Sequence, residues 1–143
     1  MTKESGDMPS LPPLTPHLTI AGAAAAIDFY GKAFGARLIT RQDTPEGKVL
    51  HAMLALPSGG VFMLCDDFPE MGKSRSPKTL GGSPVTLHLE LPDVDAVWKQ
   101  AVAAGAEVTM PLAEQFWGAR YGALRDPFGH SWSIGAPVAA PQE

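Results

Sequence analysis

The sequence predicts an α+β fold in which two copies of a βαβββ module form an eight-stranded mixed sheet curled around a cleft. The first observation is a strand–helix unit that occurs at 15–35 and again at 84–105, about seventy residues later. The second is that each copy ends in Gly-Ala, at Gly35 and Gly105, and runs into another strand-like segment. A repeat of this period is half a domain and not a solenoid unit.

The first module begins with a strand whose residues alternate between two faces. Leu18 and Ile20 lie on one face, and Thr15, His17 and Thr19 lie on the other. A helix over 23–34 follows, and the positions predicted to face the core are Ala24, Ile27, Tyr30, Gly31 and Phe34. Turns with Pro or Gly separate the remaining three strands, which are predicted at 36–43, 48–56 and 60–67.

The third and fourth strands of this module also alternate. In the third, Leu50, Leu54 and Leu56 are predicted on the core face, opposite Val49, His51 and Met53. In the fourth, Phe62 and Leu64 are predicted on the core face, opposite Val61, Met63 and Cys65.

The second module repeats this order. Its first strand ends at Pro92, and Asp93 is a candidate N-cap for a helix over 93–104. The apolar residues of that helix recur at helical spacing: Val94, Val97, Trp98, Ala101 and Val102. Three strands at 107–110, 118–126 and 130–135 follow, with a loop at 111–117 and a turn at 126–129.

The domain organisation follows from the duplication. One domain over 14–136 contains the modules 14–66 and 84–136, and a loop at 67–83 joins them. The segment 1–13 is predicted to be a flexible tail and 137–143 a C-terminal tail. A chain of 143 residues is large enough for one domain with an ordinary core.

Composition excludes several classes of protein. The net charge of -4 and the lack of a basic cluster argue against a nucleic-acid partner. The single cysteine, Cys65, excludes an internal disulfide and a multi-cysteine zinc site. No apolar stretch approaches the roughly 18 residues of a membrane span, and the first residues do not resemble a signal peptide. A cytoplasmic protein without a membrane partner is therefore expected.

The strand faces opposite the helices carry an unusual set of residues. Three of the four histidines fall on these faces, and the whole set is Thr15, His17, His51, Met53, Met63, Cys65, Thr86, His88, Glu90, Ser131 and Ser133. Because solvated faces more often carry Lys, Glu and Thr, this composition favours a ligand-binding cleft. The alternative is that each histidine satisfies local hydrogen bonds in the core or at the surface.

Several segments together resemble a known superfamily. They are AAIDFYGKAFGA, LHAML, VWKQAVAAGAEVTMP and QFWGARYGALRDPFGHSWSI. The chain resembles the vicinal oxygen chelate superfamily, which includes glyoxalases, bleomycin resistance proteins and extradiol dioxygenases, and within it the PhnB-like branch. The resemblance covers about residues 13–136 and implies the duplicated fold described above.

The resemblance also implies a divalent metal held by the first and last strands of each half. Those positions fall on Thr15, Met63, Thr86 and Ser133, none of which is an ordinary ligand of a divalent ion. We therefore expect no cofactor. The alternative is a displaced metal site of His17 and His88 with Cys65 or Glu90, which would support a lyase or dioxygenase of glyoxalase type.

Aromatic and polar residues near the last hairpin complete the candidate site. Trp117 lies in a Gly-flanked loop, where it either covers a ligand or packs in the core or a dimer, and Arg120 and Tyr121 follow it. The candidate ligand-binding residues are His17, His51, Met63, His88, Glu90, Trp117, Arg120 and Tyr121. His51 and Glu90 are also a candidate acid–base pair.

The predicted function is that of a small-molecule-binding protein that sequesters a planar or amphipathic ligand, as bleomycin resistance proteins do. A homodimer is expected, because strand edges need to be covered and members of this superfamily commonly dimerise.

Overall fold

The computed structural model describes residues 11–71 and 75–138 and contains the two predicted modules. Most of the predicted tails, and residues 72–74 of the predicted loop, lie outside the described residues. The first module consists of β1 (His17–Ile20), α1 (Ala23–Phe34), β2 (Arg37–Asp43), β3 (Val49–Ala55) and β4 (Val61–Asp66). The connection contains a 3₁₀ turn (Pro69–Met71) and a short helix, α2 (Pro77–Leu80). The second module consists of β5 (Thr86–Glu90), α3 (Val94–Ala104), β6 (Glu107–Glu114), β7 (Ala119–Arg125) and β8 (Ser131–Pro137).

The eight strands form two four-stranded sheets rather than the single curled sheet that was predicted. Their orders, β1-β4-β3-β2 and β5-β8-β7-β6, are equivalent. In each sheet the first strand pairs with the last in parallel, and the other pairs are antiparallel. The α+β architecture of two βαβββ modules is confirmed. Within the described residues, no helix is long and apolar enough to cross a membrane.

The apolar faces of the two sheets meet in one core. The rings of Phe62 on β4 and Trp132 on β8 lie 5.7 Å apart, and Tyr30 of α1 lies 5.4 Å from each of them. All three side chains are buried. Because side chains alternate along a strand, the opposite faces of both sheets point away from this shared core.

One buried carboxyl group joins the modules. The Oδ2 atom of Asp126 accepts hydrogen bonds from the Tyr30 hydroxyl at 2.5 Å and the Trp132 indole at 2.9 Å. Its Oδ1 atom accepts from the backbone N–H groups of Phe128 and His130, which closes the predicted turn at 126–129. Burial and the neighbouring Asp126 hold the pKa of Tyr30 well above its usual range.

Helix α1 has the predicted bounds, and the predicted core positions Tyr30 and Phe34 are buried, but part of the buried stripe is displaced. Its buried residues are Ala23, Ala26, Phe29, Tyr30, Ala33 and Phe34, whereas Ala24 is exposed. The stripe is displaced because α1 packs against α3 as well as against its own sheet. A side chain of the neighbouring strand caps the helix, since Asp66 Oδ1 accepts from Gly22 N and Ala23 N at 3.2 and 3.0 Å.

Four further predictions need correction in the second module and the connection. Helix α3 begins at Val94, and Asp93 at the N-cap makes no side-chain cap hydrogen bond. Val102 is exposed. Strand β6 continues to Glu114 through the predicted loop, with an irregular register between Met110 and Ala113 that accommodates Pro111, which has no N–H to donate. Helix α2 lies in a connection that was predicted to be a loop.

Strand β3 contains a bulge that reverses part of its predicted alternation. Gln42 pairs with His51, but the next pair along the ladder is Asp43 with Val49, so Leu50 is an extra residue. Val49 is consequently buried, and Leu50, predicted on the core face, is exposed.

Candidate functional site

The candidate residues form two groups on the outer faces of the two sheets. The N-terminal outer face carries His17, His51, Met63 and Cys65. The C-terminal outer face carries His88, Glu90, Tyr121 and Ser133, with Trp117 at its edge. The structure therefore does not assemble all the candidates in one cleft of a single chain.

The C-terminal outer face holds an open cavity of about 450 Å³. It lies over β5, β8 and β7 and is lined by Thr86, His88, Glu90, Trp117, Ala119, Tyr121, Ser133, Gly135 and Ala136. Only the second module contributes to its walls, so this module presents a site open on one side.

Hydrogen bonds fix the His88 imidazole from both sides. Its Nδ1 atom lies 2.8 Å from Ser133 Oγ, and its Nε2 atom lies 2.7 Å from Glu90 Oε1. Ser133 is the partner of His88 in the parallel ladder, and Glu90 follows two residues later on the same face. An ionised carboxylate only accepts, so Nε2 donates to Glu90, and in the neutral ring Nδ1 accepts from the buried Ser133 hydroxyl.

An aromatic series extends from His88 to the tip of the β6–β7 hairpin. The Tyr121 ring stacks on His88 with centroids 5.8 Å apart and planes 18° apart. Trp117 meets Tyr121 edge to face at 5.6 Å, and Phe116 meets Trp117 at 5.1 Å. The side chains of Phe116 and Trp117 are exposed, so the series ends in apolar surface at the mouth of the cavity.

Gly135 makes room for this stack and was not among the predicted site residues. A Cβ atom at this position would lie 3.0 Å from the Arg120 carbonyl oxygen and 3.3 Å from His88 Cε1. Gly135 follows Ser133 by two residues on β8, so both lie on the face that bears His88. This spacing was the signal in the sequence that could have identified Gly135. Ser133 was predicted on the cleft face but not as a ligand-binding residue, and in the structure it positions His88.

Arg120 lies outside this cavity although it precedes Tyr121. Adjacent residues of a strand point to opposite faces. The Arg120 Nε atom donates to Asp95 Oδ1 of α3 at 2.6 Å, and the group faces a separate surface depression beside that helix. The hydrogen bond to Asp95 raises the pKa of Arg120.

The N-terminal outer face brings together two histidines and a methionine. His17 pairs with Met63 in the parallel ladder, and His51 Nε2 lies 3.2 Å from Met63 Sδ. The His17 and His51 rings are 5.8 Å apart at 82°. Burial, and then the proximity of His51, lower the pKa of His17. Burial also raises the pKa of Cys65.

The described residues do not fit the divalent metal that the resemblance implied. His17 and His88 belong to different sheets whose outer faces point away from the shared core. Within 11–71 and 75–138, no three His, Cys, Asp or Glu side chains are grouped to hold a metal ion. Glu90 is hydrogen-bonded to His88 and not to His51, so the expected acid–base pair has a different histidine.

Comparison with known proteins gives consistent matches. A family model described as the Glyoxalase/Bleomycin resistance protein/Dioxygenase superfamily matches residues 15–134. An uncharacterized protein of Mycobacterium bovis is 53% identical over 129 residues, covering 89% of this chain and 84% of that protein.

Solved structures also match over most of the chain. The crystal structure of TioX from Micromonospora sp. ML1 is 28% identical with a TM-score of 0.69, covering 87% of this chain and 98% of that one. A PhnB protein from Bacillus cereus, described as a putative 3-demethylubiquinone-9 3-methyltransferase, is 23% identical with a TM-score of 0.63 and shares the fold. It covers 87% of this chain and 99% of that one.

Proposed function

Because this chain belongs to the Glyoxalase/Bleomycin resistance protein/Dioxygenase superfamily, we propose that it binds a small planar or amphipathic molecule on its C-terminal outer face. The bound molecule stacks against Trp117 and Tyr121 and forms hydrogen bonds with the Glu90 carboxylate, which His88 holds in position. The protein sequesters this ligand and needs no divalent metal to do so.

The main support for this proposal is the His88 imidazole, which two hydrogen bonds hold in place and which stacks on the Tyr121 ring. A histidine held by Ser133 and Glu90 is oriented before the ligand arrives, which reduces the entropy lost on binding. Trp117 and Tyr121 supply large contact areas with few rotatable bonds. A cavity with apolar rings and a few polar groups is the usual form of a small-molecule site.

The proposal that binding needs no metal rests on which side chains line the cavity. His88 is the one imidazole among the residues that line it, and both its nitrogens have partners. Stable divalent sites in proteins usually have three or four protein ligands. Ser133 and Thr86 are neutral hydroxyls, which are weak ligands for such ions.

We also propose a homodimer that acts in the cytoplasm. The cavity has a wall from one module only, and the exposed Phe116 and Trp117 at its edge are suited to contact a second chain. A free thiol at Cys65 is compatible with a reducing compartment.

The test is a thermal-shift screen of planar aromatic compounds, followed by titration of the strongest hit. Trp117→Ala should weaken binding by about 1–3 kcal/mol, the usual effect of removing an aromatic anchor that becomes buried on binding. His88→Ala should also weaken binding, and EDTA should leave the affinity unchanged. The matched control is Phe68→Ala, because Phe68 lies in the connection between the modules and does not line the cavity.

An unchanged affinity in Trp117→Ala would show that the ligand binds elsewhere.

The second candidate function is that of a metal-dependent lyase or dioxygenase. It is favoured by the equivalent positions of His17 and His88 in the two modules, because a dimer could bring these histidines together. Binding that is lost with EDTA and restored by zinc, nickel or iron would support that candidate and contradict the proposal.

A further inference from the structure

We propose that the N-terminal outer face binds one monovalent copper ion, Cu(I), through His17, His51 and Met63. This inference concerns the sheet opposite the proposed ligand cavity and does not depend on it. The two imidazoles and one thioether would give the ion three neutral donors.

The geometry of the three side chains suits a common ion. Metal bonds from imidazole nitrogen and from sulfur are about 2.0 and 2.3 Å in zinc sites, so two donors of one ion lie roughly 3–4 Å apart. His51 Nε2 and Met63 Sδ are already 3.2 Å apart. The His17 ring meets the His51 ring edge to face at 5.8 Å, and His17 pairs with Met63 in the ladder.

The two imidazoles and the thioether together favour a soft metal ion. A thioether is a soft ligand that favours Cu(I), and imidazole also binds copper. Within the described residues, no Cys, Asp or Glu joins His17 and His51 in a group able to hold a metal. The nearby Asp66 carboxyl accepts hydrogen bonds from Gly22, Ala23 and Val49 on the core side. A hard divalent ion would therefore lack charged oxygen ligands.

The second module shows that this set is not a consequence of the fold. His88 occupies the position of His17, but its ladder partner is Ser133 where His17 has Met63. Glu90 and Ser133 already bind both nitrogens of His88. The second module therefore lacks a thioether as the ladder partner of its equivalent histidine.

The experiment is anaerobic titration with Cu(I), kept reduced by ascorbate, in competition with the chromophoric chelator bicinchoninate. Free thiols also bind Cu(I), so the titration is run on the full chain as Cys65→Ser and on the wild type. We expect one Cu(I) per chain in both. In the Cys65→Ser background, Met63→Leu and His51→Gln should each lower the affinity by at least about 10-fold, because loss of an outer-shell partner of a ligand alone usually costs 10–100-fold.

A matched methionine provides the control. Met110 lies on β6 of the other sheet and is partly buried, so Met110→Leu should leave Cu(I) binding unchanged. As a second readout, redox-inert Ag(I) should shift the methyl NMR signal of Met63 and leave that of Met110 in place. The proposal is overturned if Cys65→Ser retains no Cu(I) against bicinchoninate, or if Met63→Leu and Met110→Leu behave alike.

Discussion

The two modules share a backbone plan but carry different chemistry on their outer faces. The ladder that pairs His17 with Met63 and Thr19 with Cys65 in one sheet pairs His88 with Ser133 and Glu90 with Gly135 in the other. The first face thus carries sulfur and imidazole, and the second carries oxygens around one imidazole beside stacked rings. The comparison teaches that the ladder fixes where side chains stand, whereas their identity decides what each face can bind.

The same comparison applies to the stabilising polar groups. Each module has an equivalent turn, Leu56–Gly59 in the first and Asp126–Gly129 in the second, closed by the same backbone hydrogen bonds. Only the second turn carries a buried carboxyl group. Conversely, Asp66 caps α1, whereas Asp93 at the N-cap of α3 makes no side-chain cap hydrogen bond.

The largest expected effect on stability comes from Asp126→Leu, which gives the second turn the same first residue as the first turn, Leu56. In Asp126→Leu the N–H and O–H donors of Tyr30, Trp132, Phe128 and His130 lose their acceptor, and we expect a loss of about 4 kcal/mol in the free energy of unfolding. Urea denaturation followed by circular dichroism measures it. Tyr30→Phe removes one of the four bonds and should cost about 1–2 kcal/mol. Equal losses in the two variants would contradict the shared role of the carboxyl group.

The next largest difference in stability is expected between substitutions at the N-termini of α1 and α3. Asp66→Ala removes the cap of α1 and the acceptor for the buried Val49 N–H, so a loss of about 2 kcal/mol in unfolding free energy is expected. Asp93→Ala, at the N-cap of α3, removes no cap hydrogen bond and should change stability by less than about 0.5 kcal/mol. The pair is measured by the same denaturation experiment, and similar losses would show that the caps are equivalent.

A smaller effect is expected at the Gly135 position. In Gly135→Ala the new methyl group meets the Arg120 carbonyl oxygen and the His88 ring, so we expect a loss of about 1 kcal/mol in stability and weaker binding of the planar ligand. Cys65 is the equivalent residue of the first module, and Cys65→Ala should leave that binding unchanged. Calorimetric titration of both variants measures ligand binding at the two faces. Weaker binding in Cys65→Ala alone would show that the ligand binds the N-terminal sheet, which would contradict the proposed site.

The smallest expected effect is a change in the pH dependence of one thiol. Burial raises the pKa of Cys65, so the reactive thiolate is scarcer at neutral pH than in a free cysteine. Alkylation by iodoacetamide, followed by mass spectrometry, should be slow near pH 7 and should accelerate at a higher pH than for glutathione. Faster alkylation than glutathione at pH 7 would contradict this.

Periodicity predicted most of the fold, and single residues explain the exceptions. Alternation located the strands, but the Leu50 bulge could not be predicted, because one extra residue changes the face without changing the composition. The stripe of α1 was misplaced because its contact with α3 depends on tertiary packing. The sequence selected His88 and Glu90 individually, yet only the register showed that they bind each other and that Glu90 is not the partner of His51.

The single core between the sheets has a consequence for how this chain can change through evolution. Stability resides largely on the inner sides, where Phe62, Trp132 and Tyr30 lock the halves together. Outward residues such as Glu90 and Trp117 are exposed, and substitutions at such sites usually alter stability little. Each half can therefore change its outward residues, and with them its ligand preference, while the core that the halves share stays intact.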